Sequence, residues 1–112
     1  MRDHRNLLAF QLVDALVIDL YRATKSIPRE EKFVLSSQLR RTVVSIASYI
    51  VEGRARESQP DFVGFLEIAF ASAQEVEYQL TVAARVEYLP ADLAESLNQQ
   101  IVETSKVLYG LI

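Results

Sequence analysis

The sequence has no cysteine and no tryptophan, and its 112 residues include only three glycines, three prolines and one histidine. Without cysteine there is no disulfide framework, no thiol nucleophile and no thiolate metal site. So few turn-formers exclude the many tight hairpins of a sandwich or barrel, which need Gly or Asn at left-handed positions. Long hydrophobic runs are also missing: charges interrupt every apolar stretch before the roughly 18 residues needed to cross a bilayer. The N-terminal stretch, broken by Gln11, Asp14 and Asp19, does not read as a signal peptide, so a cytoplasmic protein without a membrane partner is expected. The lone His4 lies in a polar segment where a frayed, solvent-exposed imidazole is expected rather than a catalytic base. Carboxylate-type metal centres in helix bundles need Glu-x-x-His pairs, and no histidine follows position 4. No metal, no cofactor and no enzymatic activity is therefore expected.

What remains is strongly helical. Half of the residues are hydrophobic, enough for a single domain over 1–112 to bury a core without staples. From Asn6 to Lys25, Leu7, Phe10, Val13, Val17, Leu20 and Thr24 recur in threes and fours, beside a second row of Leu8, Leu12, Ala15 and Leu16. Pro28 stops this first helix. A connector with one helical turn over Glu30 to Val34 leads to a second helix, Gln38 to Arg54, for which Ser36 or Ser37 is the expected cap. Its rows are Leu39, Val43, Ile46 and Ile50, then Val44, Ala47 and Val51, and Gly53 offers a left-handed exit or a close backbone approach.

The third helix starts between Ser58 and Asp61, with Ser58 as cap and Pro60 in the first turn. Phe62, Leu66, Ala69, Ala73, Val76, Leu80 and Ala83 keep alternating steps of four and three, the spacing of left-handed bundle packing. Pro90 and Asp92 open a fourth helix, Ala91 to Tyr109, with the stripe Leu97, Ile101, Thr104, Leu108 and Leu111. The fold expected is all-α, a left-handed up-and-down antiparallel four-helix bundle.

Charge is unevenly spread. Residues 1–56 carry ten Lys or Arg against six acids, whereas 57–112 carry two against nine, and the whole chain stands at −3. Arg22, Lys25, Arg29, Lys32, Arg54 and Arg56 are the candidate nucleic-acid-binding residues, with Tyr21 and Phe33 interleaved as candidate stacking platforms. The plainer reading of the asymmetry is attraction between the halves of the bundle. Arg40, Arg41, Ser45 and Glu52 on helix 2, with Ser72, Glu75 and Glu77 on helix 3, could in principle do acid–base work. The expectation is instead a structural polar network between helices formed by Arg40, Arg41, Ser45, Glu52, Ser72 and Glu75. Two apolar rows on helices 1 and 2, together with Phe65, Ile68 and Phe70 outside the helix 3 stripe, exceed what one small bundle hides and point to self-association.

Gln38-Leu39-Arg40-Arg41, Ser45-Ile46 and Ile50-Val51-Glu52-Gly53 resemble the intervening-sequence proteins first noted in insertions within bacterial large-subunit ribosomal RNA genes. The likeness continues through Ile27-Pro28, Glu31 and Leu35, then Phe65-Leu66-x-Ile68-Ala69, and Ser72-x-x-Glu75-Val76-Glu77 with Gln79-Leu80. Tyr49 stands where the family usually has Asn, Val51 where it has Ala, and Ala71 where Gly is common. The resemblance implies a homopentamer of four-helix bundles, similar in fold to the accessory variability protein of diversity-generating retroelements. The leading expectation is a non-enzymatic homo-oligomeric scaffold. The alternative is an RNA-binding accessory protein, or a partner of a nucleic-acid-associated protein, that uses a basic face repeated around the oligomer.

Overall fold

The computed structural model describes residues 3–25, 27–28, 30 and 32–112, the last range without the side chains at 32 and 33. Four helices follow one another: α1 (Leu8–Thr24), α2 (Ser37–Arg54), α3 (Gln59–Arg85) and α4 (Ala91–Leu111). No strand is present among the described residues. Packing runs around a square, α1 on α2, α2 on α3, α3 on α4 and α4 back on α1, in a bundle 44 × 22 × 19 Å. Short links make each helix antiparallel to the next, so α1 and α3 lie across the diagonal.

The core is the set of apolar rows at helical spacing. All seven expected residues of α3 from Phe62 to Ala83 are buried, as are Leu39, Val43, Ile46 and Ile50 of α2 and Leu97, Ile101 and Leu108 of α4. Leu111 is exposed at the end of α4. In α1 the buried stripe falls between the two expected rows: Ala9, Val13, Leu16, Leu20 and Ala23 face the core, and Leu8 and Ala15 face outward. One side of a helix buries an arc of only about 100° or a little more, so two full rows do not both fit.

The helix ends carry the other departures from expectation. Ser58 caps α3 as expected, its hydroxyl accepting from the Asp61 N–H at 3.2 Å with Pro60 in the first turn. Ser36 does not cap α2. A π turn over Lys32–Ser36 runs directly into the helix, and Ser36, at φ −62° and ψ −43°, lies inside a continuing turn rather than at a free end. Before α1, Asp3 caps a 3₁₀ turn at His4–Asn6. His4 is half-buried and set edge-on against Phe10 at 4.7 Å between ring centroids, not frayed into solvent.

The α3–α4 link is built on a left-handed glutamate. Glu87 has φ 62°; its N–H bonds the Ala84 carbonyl at 3.1 Å, and the next N–H, Tyr88, bonds the Ala83 carbonyl at 2.9 Å. This is the Schellman closure, which ordinarily places glycine at the left-handed position. Gly53, by contrast, is helical. A Cβ there would lie 2.7 Å from the Phe65 Cβ and 3.3 Å from the Phe62 ring, so the close approach of α2 and α3 requires glycine.

Candidate interaction surface

The polar residues expected to tie the helices together are only partly brought together. Arg40 reaches α1: its Nε donates to the Thr24 hydroxyl at 2.8 Å, its Nη2 donates to the Tyr21 carbonyl at 3.0 Å, and the guanidinium lies 4.6 Å from the Tyr21 ring centre. Thr24 is fully buried and donates back to the Leu20 carbonyl at 2.8 Å. Arg40 therefore satisfies one carbonyl, that of Tyr21, in the last turn of α1, where positive charge also complements the helix dipole.

The rest of that set behaves differently. Ser45 donates to its own helix at the Thr42 carbonyl, and Glu75 accepts from Gln79 at 3.3 Å. Arg41, Glu52 and Glu75 are exposed and Ser72 is half-buried, with no ion pair among Arg40, Arg41, Glu52 and Glu75. The expected inter-helix ion-pair network is replaced by one arginine bonded to neutral oxygens. Gln79 is nearly buried and its Oε1 has no partner.

The candidate nucleic-acid residues separate in space. Arg22 and Lys25 stand exposed at the end of α1 that meets the start of α2, whereas Arg54 and Arg56 belong to the far end of α2. Eighteen helical residues separate those ends by about 27 Å. Arg29 and the side chain of Lys32 lie outside the described residues. At the α2 end, the guanidinium of Arg54 sits 5.4 Å from the Phe62 ring centre and that of Arg56 sits 4.8 Å from Phe65. These cations help seal the α2–α3 corner. Among the described residues, the four candidate cations thus fall at two ends of the bundle and not on one face.

An open groove of about 910 Å³ lies at the α3–α4 link, lined by residues including Pro28, Arg85, Glu87, Tyr88, Glu95 and Asn98. Arg85, Glu87 and Glu95 are exposed to solvent. Among the described residues no group of His, Asp and Glu could hold a metal ion, and no helix is long and apolar enough to cross a membrane. The surface is more distinctive for its apolar side chains: Leu8, Ile18, Val34, Ile68, Tyr78 and Tyr109 are all exposed. Of the apolar residues that periodicity leaves outside the α3 stripe, Ile68 is exposed, whereas Phe65 and Phe70 are half-buried.

The architecture defines a compact all-α four-helix bundle with a complete core and apolar residues on its outside. Residues 5–110 match the family model of the 23S rRNA-intervening sequence proteins, and the chain belongs to that family. It is similar to a protein of unknown function from the S23 ribosomal protein family of Bacteroides thetaiotaomicron VPI-5482, known from a crystal structure at 1.70 Å resolution. The two share 29% sequence identity with a TM-score of 0.87, over 94% of this chain and 98% of the other. No curated protein matches it.

Proposed function

We propose that the protein is a non-enzymatic homo-oligomer, a ring of bundles with five copies expected, that serves as an interaction scaffold in the cytoplasm. The observation that carries this reading is the exposure of large apolar side chains outside a finished core: Ile18 is 48% exposed, Ile68 45% and Tyr78 67%. Large apolar side chains left in water favour association. Closed symmetry is the usual outcome.

A binding role for RNA is favoured by copies that bring separate basic ends together, because the described candidate residues of one copy fall into two pairs, Arg22 with Lys25 and Arg54 with Arg56. Light scattering on a sizing column, with and without a short structured RNA at low and moderate salt, tests both readings. The scaffold reading expects an assembly of several 12.7 kDa chains with no RNA shift. An RNA shift that weakens steeply with salt would replace it with the accessory reading, since phosphate contacts release counterions.

A further inference from the structure

We propose that the cleft between the π turn and the C-terminal half of α3 binds a small, neutral, flat apolar molecule that donates one hydrogen bond to the Gln79 amide. The cleft holds about 360 Å³, near the lower end of the range for small-molecule sites. Val34 and Leu35 of the π turn line it from one side, and Tyr78, Val82 and Val86 line it from the other. The last three recur every four residues, so they share one stripe along α3. A π turn is rare and is frequently found at functional sites. All of these residues belong to one copy, so the site is complete without a second chain.

Two observations fix the chemistry of the occupant, and the first is charge. Other grooves on the bundle have ionic walls: Arg85, Glu87 and Glu95 at the α3–α4 link, Asp19 with Arg22 between α1 and α4, and Asp14 with Glu52 between α1 and α2. None of the described residues lining this cleft is charged. A charged molecule would give up its hydration there without a counter-charge, so the occupant is neutral. The rings of Tyr78 and Tyr88 give the cleft aromatic surface, which favours a flat ring. The second observation is Gln79, which lines the cleft and is nine-tenths buried. Its Nε2 donates to Glu75 Oε2 at 3.3 Å, and its Oε1 has no partner. A buried amide oxygen left unpaired is costly, and a donor that reaches it recovers that cost. The 3.3 Å bond is long, and the last side-chain bond of glutamine turns with little preference, so the amide swings toward a donor in the cleft without a change of rotamer.

Indole is the probe: it is neutral and flat with one N–H donor, and the chain has no tryptophan to obscure its fluorescence. Benzofuran has the same shape with an oxygen in place of the N–H. The wild-type protein is expected to bind indole, and benzofuran is expected to displace it with an affinity weaker by a fewfold to about tenfold, the worth of one hydrogen bond. Gln79→Leu is expected to bind the two alike. Circular dichroism checks that this variant remains helical, and Val86→Glu, a change at an exposed position, is a second test that does not depend on it. A charge placed in the cleft is expected to weaken indole about tenfold or more. Absence of indole binding by the wild-type protein, equal affinity of the wild-type protein for the two probes, or unchanged indole binding in Val86→Glu overturns the proposal.

Discussion

Two glycines within helices make opposite predictions about the same substitution. In Gly53→Ala the added Cβ would lie 2.7 Å from the Phe65 Cβ and 3.4 Å from the Phe62 carbonyl oxygen. Phe65 Cβ is fixed directly to the α3 backbone, so it cannot swing away and the two helices must separate. Overpacking of this kind costs about 1–3 kcal/mol. Replacing a helical glycine with alanine returns about 1 kcal/mol of propensity, which leaves a net loss of about 1 kcal/mol. In Gly64→Ala nothing lies within 4 Å of the new atom, so the propensity gain of about 0.5–1 kcal/mol is expected whole. The two variants should therefore differ by about 2 kcal/mol, on the order of 8 °C in Tm for a domain of this size. Thermal unfolding at matched protein concentration keeps any contribution of assembly to apparent stability the same for both variants. Equal stabilisation by both substitutions would refute the close α2–α3 crossing.

Other consequences follow from the helix ends and the polar contacts. Glu87→Gly should raise stability by about 1 kcal/mol, because a non-glycine residue in the left-handed region carries strain of about that size; no change in denaturant midpoint would contradict the Schellman geometry. Arg40→Met should cost about 1–3 kcal/mol through the loss of charged hydrogen bonds to Thr24 and Tyr21, and Arg40→Lys should not restore it. A double-mutant cycle with Thr24→Val should show coupling of about 0.5 kcal/mol or more, and additive effects would count against the contact. Hydrogen bonds from the side chain and backbone of Arg5 hold the Asp3 carboxyl below its ordinary value of 3.8. The depressed value means that the pairing is fully present above pH 3.8 and is lost as pH falls through the lower folded value. A carboxyl carbon titration of Asp3 by NMR should have its midpoint below 3.8, and a midpoint at or above it would contradict the pairing.

The helices and most of the core were legible in the order of residues, because apolar spacing of three and four is a local property that packing then uses. The α3 row from Phe62 to Ala83 and the Ser58 cap lie where periodicity and capping chemistry place them. Long-range contacts were less legible. Arg40 sits in a row with no acidic partner because its acceptors come from α1, sixteen and nineteen residues away. The α3 terminus lacks the glycine that marks a left-handed closure, so Glu87 gave no local sign of it. Ser36 has the side chain of a cap but not the position, since the π turn before it carries the helix further upstream. Antiparallel packing places Arg22 and Lys25 at one end of α2 and Arg54 and Arg56 at the other.

The central claim is that the apolar side chains exposed outside its core make this bundle one unit of a larger assembly. Sedimentation equilibrium of the wild-type chain over a dilution series tests it most directly. The account predicts a defined mass that is a multiple of 12.7 kDa and falls toward the single chain only on strong dilution. A single 12.7 kDa species at every concentration would contradict it.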